Sequence, residues 1–199
     1  MATGVVVRTP RPVLSRDRDF TDDEALTILR GSLEEPLAKL AIEHAAARRW
    51  VPWLCAYDGA RMNEMTQLRG SGVRQVDGIW IVRITPEARS VKPGRWRDVP
   101  LHPHLVAQGF PSFAGSRGSR PLFYDPARTR DGSKARPIYK KVGERLAAWV
   151  RSPGVTDLGV DPNHGWRHRF KTVGRRAGID PAVLDALQGH APRACYRLS

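Results

Sequence analysis

Hydrophobic positions near the start of the chain recur with a helical period. Leu26, Leu29 and Leu33 form an apolar stripe, and Thr21 precedes it with Glu24 three residues further on. A threonine followed at that distance by a glutamate is the pattern of a capping box, in which each side chain binds the other residue's backbone amide. The pattern predicts a first helix that begins directly after Thr21.

A second helical pattern follows Pro36. Its stripe consists of Leu37, Leu40, Ala41 and His44. Proline lacks an amide hydrogen and is tolerated mainly in the first turn of a helix, so Pro52 is expected to break this helix or to begin the next one.

The period then changes from helical to extended. Residues 73–76 and 79–84 are rich in β-branched side chains and flank Asp77-Gly78, a dipeptide typical of tight hairpin turns. A third short strand is expected at residues 98–101, after a connecting loop that contains Lys92. Together these segments predict a small three-stranded antiparallel sheet.

The second half of the chain is predicted to be helical after a long loop. Residues 111–135 are rich in glycine, serine, arginine and proline and are interpreted as a mobile loop. A helix is expected from Pro137, another from His164 to Ala177 with Asn163 as its cap, and a last one from Pro181 to near Gly189. The predicted fold class is therefore α+β, mostly helical, with the small sheet inserted.

Composition and charge narrow the class of protein. The chain has 199 residues, of which 41% are hydrophobic, enough for one domain with a real core, and we expect that domain at 20–199 after a linker or arm at 1–19. The formal net charge is +13, which favours a polyanionic partner, and double-stranded DNA is the first candidate. Two cysteines and no apolar run long enough for a membrane span favour a cytoplasmic, nucleoid-associated protein without a membrane partner.

Several basic side chains suit chemistry at a phosphodiester. Arginine can bind a phosphate through two hydrogen bonds, and lysine or histidine can donate a proton to a leaving alkoxide. His164 and Arg167 are three residues apart, so a helix would place them on one face. Arg61 follows the Asp58-Gly59 turn and is expected to address the same phosphate from the opposite side.

Four local phrases resemble the catalytic domain of the tyrosine recombinases, the phage-integrase family, over nearly all of residues 20–193. The phrases are Gly59-Ala60-Arg61-Met62-Asn63-Glu64, Lys92 before Arg97-Asp98-Val99-Pro100-Leu101, His164-Gly165-Trp166-Arg167-His168, and Leu187-Gln188-Gly189-His190. Each phrase alone is weak. All four in the family's order, with the hairpin and the helices where they are expected, are a specific signal.

The resemblance implies a role for each of these residues. Arg61 and Arg167 would clamp the scissile phosphate, His190 would donate a hydrogen bond to it, and Lys92 would be the general acid for the 5′-hydroxyl leaving group. His164 would assist proton transfer, with Glu64 and His168 as supporting residues. The family forms a covalent 3′-phosphotyrosyl intermediate, needs no metal or cofactor, and recombines DNA as a tetramer.

The candidate nucleophile departs from the family pattern. Tyr196 lies six residues after His190, whereas the family's tyrosine usually lies about nine residues after that histidine. On a helix, three fewer residues would displace the hydroxyl by roughly 4.5 Å along the axis and about 60° around it. Tyr196 therefore either acts in an unusual geometry, including in trans, or is part of the tail.

Further basic and aromatic residues are candidates for DNA contact. They are Arg95, Trp96, Arg97, Arg169 and Lys171. A zinc site at His164 and His168 is disfavoured, because no cysteine or acidic cluster accompanies the two histidines.

Three functions remain open at this point. The leading hypothesis is the breaking-and-rejoining domain of a prophage-type integrase, lacking the family's N-terminal core-binding domain. The alternatives are a DNA-binding fragment that does not cleave, because its tyrosine is displaced, and a type IB topoisomerase-like relaxing activity.

Overall fold

The computed structural model of the chain describes residues 16–85, 96–128 and 137–190. Within these ranges the chain forms eight α-helices and one three-stranded sheet, which confirms the predicted mostly helical α+β class. The helices are α1 (Asp22–Gly31), α2 (Ile42–Asp58), α3 (Met62–Thr66), α4 (Pro103–Ala107), α5 (Phe110–Arg117), α6 (Ile138–Arg151), α7 (Gly165–Arg176) and α8 (Pro181–Leu187). The strands are β1 (Val73–Val76), β2 (Ile79–Ile84) and β3 (Arg97–Pro100).

Helix α1 begins where the capping box predicts. Thr21 Oγ1 accepts from the Glu24 amide at 3.2 Å, and Glu24 Oε2 accepts from the Thr21 amide at 2.9 Å. The predicted core stripe is wrong, however: Ala25 and Ile28 are buried, whereas Leu26 is 45% exposed. The helix is rotated about its axis so that a neighbouring face meets the core, which a stripe of three leucines does not reveal.

Helix α2 differs from its prediction both in where it begins and in its passage through Pro52. It begins at Ile42, so that Leu37 is exposed in the preceding connection, and it continues through Pro52 to Asp58. A proline inside a helix costs about 3 kcal/mol, and burying one large aliphatic side chain recovers about 1.5–3 kcal/mol. Val51 and Leu54 are both fully buried in this helix, so the packing of the flanking residues offsets the broken backbone hydrogen bond.

The sheet has the predicted antiparallel order β1-β2-β3. Asp77 and Gly78 both have positive φ, at 49° and 78°, as the tight hairpin turn requires. Val82 on β2 pairs with Val99 on β3 and both are buried, so the inner face of the sheet belongs to the core. The strand predicted at 98–101 lies at Arg97–Pro100, one residue earlier.

The segment after β3 is more ordered than its composition indicates. Residues 111–117 belong to helix α5, and Leu122 and Phe123 are buried, so the predicted loop at 111–135 is wrong in its first part. Gly70 explains the packing: a Cβ there would lie 2.2 Å from the Ala114 carbonyl oxygen, so only a glycine lets α5 approach so closely. Residues 129–136 lie outside the described part of the chain.

The last three helices lie close to their predicted bounds. Val142 and Leu146 are buried on α6, and Asp180 Oδ1 caps α8 by accepting from the Ala182 amide at 2.6 Å. Helix α7 ends before Gly178, but its N-cap is His164 and not Asn163 as predicted.

Helix α7 is anchored from the amino-terminal side. The Phe20 ring lies 5.0 Å from the Trp166 ring in an edge-on arrangement. Gly165 leaves room for that ring, since a Cβ there would lie 2.6 Å from Phe20 Cζ. Arg169 donates to the Phe20 carbonyl at 2.9 Å, so two turns of α7 hold one residue of the entering segment.

None of the helices in the described ranges has both the length and the apolar character needed to cross a bilayer.

Candidate active site

Arg167 is the most enclosed cation of the site. Arg167 is 7% exposed, and its guanidinium donates to the Gly59 backbone carbonyl at 2.9 Å and to the Gln188 backbone carbonyl at 2.7 Å. A third hydrogen bond runs to His190 Nε2 at 2.8 Å. Burial and the nearby Arg61 lower the pKa of Arg167 to about 10, so the guanidinium is charged at neutral pH.

Gln188 ties the two last helices together behind Arg167. The side-chain amide of Gln188 donates to the Arg167 backbone carbonyl at 2.8 Å, while the backbone carbonyl of Gln188 accepts from the Arg167 guanidinium. Because Gln188 is fully buried, these bonds are shielded from water. The arrangement fixes the direction in which the guanidinium points.

Gly59 is needed where α2 ends against this cluster. Its φ is +59°, and an added Cβ would lie 2.4 Å from the Phe170 ring and 2.8 Å from Gln188 Nε2. We expect Gly59→Ala to lower the free energy of unfolding by about 2–4 kcal/mol, the sum of left-handed backbone strain and overpacking. Urea unfolding followed by tryptophan fluorescence measures the change.

Gly78→Ala is the matched control for that substitution. Gly78 also has a positive φ, but nothing lies within 4 Å of its added Cβ. Its cost is therefore the backbone strain alone, about 1–2 kcal/mol. Equal losses in the two variants would contradict the close packing at Gly59.

Arg61 and Glu64 occupy the first turn of α3. Glu64 Oε2 accepts from the Arg61 amide at 2.9 Å, and Glu64 Oε1 accepts from the Arg61 guanidinium at 3.1 Å. The Arg61 side chain remains 37% exposed, whereas Glu64 is fully buried. The carboxylate therefore holds Arg61 from beneath while the guanidinium keeps access to solvent.

Arg97 from β3 is the second cation on Glu64. It donates to the two carboxylate oxygens at 2.7 and 3.3 Å, and to the Leu187 carbonyl at 3.2 Å. Burial raises the pKa of Glu64, but the hydrogen bond and charge of Arg97, with the Arg61 contacts, outweigh it, and the pKa is lowered overall. The carboxylate is ionised and links α3, β3 and α8.

His190 follows α8 and lies between Arg167 and Asp185. Its Nε2 accepts from Arg167 at 2.8 Å, since a guanidinium only donates, and its Nδ1 lies 2.8 Å from Asp185 Oδ1. Asp185 also pairs with Lys171 Nζ at 2.6 Å. Hydrogen bonds from Lys171 and His190 lower the pKa of Asp185 to about 2.

The two histidines of α7 lie apart from this cluster of contacts. His164 is half exposed and its Nδ1 lies 3.0 Å from Asp161. His168 is largely exposed, and partial desolvation of its ring, with the nearby His164, lowers its pKa. The structure thus brings Arg61, Glu64, Arg167 and His190 together, and places His164 at the start of the same helix as Arg167.

The candidate DNA-contact residues have varied surroundings. Trp96 is 58% exposed and lies over the Arg83 guanidinium at 3.9 Å. Arg169 pairs with Asp22 at 2.7 Å, and Lys171 and Arg97 are held in the ion pairs described above. Lys92, Arg95 and Tyr196 lie outside the described residues.

Four residues of the site escaped the sequence analysis as functional candidates. Gly59, Asp58, Asp185 and Gln188 stand inside or beside the phrases that were singled out. Asp58 is 1% exposed, its Oδ2 has no hydrogen-bond partner, and burial raises its pKa well above the ordinary range. Only the position of Asp185, five residues before His190 on a short helix, offered a signal.

The arrangement suits a bound phosphate more than a metal. Two guanidinium groups and an imidazole converge on one region, and such donors match the charge that develops on non-bridging oxygens. No cluster of three or more histidine, cysteine or acidic side chains with metal-binding geometry occurs in the part of the chain that the structure describes.

The fold is similar to that of solved recombinase structures. The fold is that of a tyrosine-recombinase catalytic domain, as the four phrases predict. The XerH site-specific recombinase bound to difH substrate, in a pre-cleavage complex, is similar with a TM-score of 0.60 and 19% identity over 88% of this chain. The XerH post-cleavage complex on palindromic difH gives a TM-score of 0.57 and 18% identity over 87%, and the XerA recombinase gives 0.61 and 19% over 92%.

The matches span about half of the longer proteins. This chain covers 48% and 46% of the two XerH chains and 58% of the XerA chain. No family model matches the sequence, and no curated protein matches it either.

Proposed function

We propose that this chain is the breaking-and-rejoining domain of a site-specific recombinase that acts on double-stranded DNA, of the prophage-integrase type. The observation that carries the proposal is the convergence of Arg61, Arg167 and His190. Arg167 is buried and fixed by two backbone carbonyls, and Arg61 is fixed by a buried carboxylate while staying partly exposed. Donors that the protein holds in position in this way can stabilise a phosphoryl transition state at little cost of reorganisation.

The proposed chemistry conserves the phosphodiester bond energy. A tyrosine hydroxyl loses its proton to a base as its oxygen attacks the phosphorus, the bond to the 5′-oxygen breaks, and a general acid protonates that leaving oxygen to give the 5′-hydroxyl. Tyr196 is the proposed nucleophile, Lys92 the proposed acid, and His164 the proposed assistant in proton transfer. Rejoining reverses these steps on a new 5′-hydroxyl, so no metal or cofactor enters the scheme.

The charge and the surface support DNA as the partner. The net charge of +13 favours a polyanion, and the XerH structures carry DNA substrates. We place Trp96, with Arg95, Arg97, Arg169 and Lys171, at the proposed DNA interface, and Glu64 and His168 as supports of the pocket. Four copies would assemble on paired DNA sites.

A binding module that does not cleave is the second candidate. The observation that favours it is the spacing of six residues between His190 and Tyr196. A misplacement of about 1 Å can cost on the order of a hundredfold in rate. Such a chain would retain its phosphate pocket and its salt-sensitive DNA binding.

A trapping assay separates the two candidates. A duplex that binds the protein is first selected from a randomised DNA library by repeated rounds of binding and amplification. A set of such duplexes is then made in which a single nick is placed at each successive nucleotide position. Cleavage next to a nick releases a short fragment and traps the covalent adduct, which denaturing electrophoresis detects.

We expect an adduct with the wild-type chain and none with Tyr196→Phe. Tyr139→Phe, on α6, is the control that keeps the adduct. No adduct at any nick position, together with retained binding that weakens steeply with salt, would reject the enzyme and support the binding module. An adduct that survives Tyr196→Phe would reject Tyr196 as the nucleophile.

A further inference from the structure

Asp185 contacts two groups of the site, an imidazole and an ammonium, through one carboxylate oxygen. Its Oδ1 lies 2.8 Å from His190 Nδ1 and 2.6 Å from Lys171 Nζ. Lys171 belongs to α7, Asp185 to α8, and His190 follows α8. The carboxylate therefore couples the imidazole to the helix that carries Arg167.

The protons on His190 follow from its two neighbours. Arginine has no acceptor, so the contact of 2.8 Å requires an unprotonated Nε2 on His190. An ionised carboxylate only accepts, so Nδ1 must be protonated and donate the hydrogen bond to Asp185. In this arrangement the imidazole is neutral, and Nε2 has no proton to donate to a phosphate.

We infer that Asp185 is a positioning residue, which holds His190 by Nδ1 so that a second proton can enter at Nε2 when a DNA phosphate binds. The inference rests on the proposed function. The Arg167 guanidinium turns its hydrogen bond from Nε2 to a phosphate oxygen, and Nε2 takes a proton from the buffer and donates it in a hydrogen bond to the same phosphate. No covalent bond between heavy atoms forms or breaks in this step.

The charges around His190 support this order of events. Asp185 from α8 is the adjacent anion, and Arg167 from α7 is the adjacent cation, with Lys171 next to Asp185. From β3, Arg97 lies against Gly189, where an added Cβ would be 2.7 Å from its guanidinium. Arg97 and Arg61 are both paired with Glu64, so an arriving phosphate is the anion that offsets the positive charge that a second proton gives the imidazole.

The free chain gives the first test. Nitrogen-15 NMR of the imidazoles distinguishes a protonated from an unprotonated ring nitrogen. We expect His190 to have Nδ1 protonated and Nε2 unprotonated. Asp185→Asn, whose amide either donates or accepts, should lose that preference, and Asp185→Glu should restore it. Asp161→Asn removes the carboxylate next to His164 and should leave the His190 signals unchanged.

The DNA complex gives the second test. Calorimetric titration with the library-enriched duplex in two buffers of different ionisation enthalpy measures the protons taken up. The wild type should take up protons, and Asp185→Asn should lose most of that uptake. The adduct rate should fall about 10- to 100-fold in Asp185→Asn, as for outer partners of metal-bound histidines, and recover in Asp185→Glu.

Each result decides the inference separately from the proposed function. If Asp185→Asn keeps the wild-type protonation of His190, or if the wild type binds DNA without taking up protons, the inference is wrong even when an adduct forms. If no adduct forms but the tautomer and the proton uptake behave as expected, the cleavage function fails and the role of Asp185 in phosphate binding stands.

Discussion

Arg167→Ala is expected to lower the rate of adduct formation by at least about a thousandfold. Loss of one preorganised transition-state donor costs about 100- to 1,000-fold, and Arg167 also positions His190 through their hydrogen bond of 2.8 Å. Affinity for the duplex should change much less, because the other cations of this basic chain remain available to the DNA backbone. Adduct rates at saturating protein and a separate binding isotherm measure the two effects.

The same substitution should reduce stability. It removes the donor of the buried Gln188 carbonyl and of the Gly59 carbonyl. A buried acceptor left without a partner costs about 1–3 kcal/mol. Arg167→Lys keeps the positive charge but not the planar guanidinium that donates several hydrogen bonds at once. It should therefore recover part of the stability and little of the cleavage rate.

Arg30→Ala is the control for charge. Arg30 is exposed in the last turn of α1 and its loss removes the same charge from the chain. Its adduct rate should stay close to that of the wild type. A fall comparable to that of Arg167→Ala would mean that net charge, and not the pocket, determines cleavage.

Glu64→Ala is expected to lower the free energy of unfolding by about 3–5 kcal/mol, the cost of breaking a buried ion pair on one side. The substitution removes the carboxylate that forms ion pairs with both Arg61 and Arg97, and so leaves these two cations without their shared anion. Glu64→Gln keeps an acceptor and should cost less. Urea unfolding at pH 7 ranks the wild type, Glu64→Gln and Glu64→Ala by free energy of unfolding. Glu34→Gln, at an exposed site, is the control.

The pH dependence of Glu64 has a definite sign. Its folded pKa is lowered, so its ion pairs contribute stability above the unfolded pKa of about 4.3 and lose it as the pH falls through the folded value. The wild type should therefore lose stability below about pH 4.3 more steeply than Glu64→Gln. Identical slopes for the two chains in acid would mean that folding does not lower the pKa of Glu64.

The site residues were easier to predict than their partners. Arg61, Arg167 and His190 stand in phrases whose spacing is a property of the sequence alone. Asp185 and Gln188 act through contacts between α7 and α8, and the one sequence signal for either is the position of Asp185 five residues before His190. Arg97 was predicted as a DNA contact from its loop position, yet its guanidinium lies mainly against Glu64, 33 residues away in the sequence.

The elements of the fold show the same division. The capping box at Thr21 and the Asp77-Gly78 turn are local, and both were predicted correctly. Helix α5 was missed because its composition is that of a loop, and its order comes from tertiary packing against Gly70 and Trp50. Pro52 was expected to break α2, but the burial of its neighbours along the helix outweighs a local preference.

The contact between Phe20 and α7 has a mechanical consequence. Gly165, which receives the ring, precedes Arg167 by two residues, about 3 Å along the helix axis. A displacement of Phe20 would therefore act on the first turn of α7, the turn that also carries Arg167. The packing of Phe20 and the position of Arg167 therefore depend on the same first turn of α7, with no loop between Gly165 and Arg167.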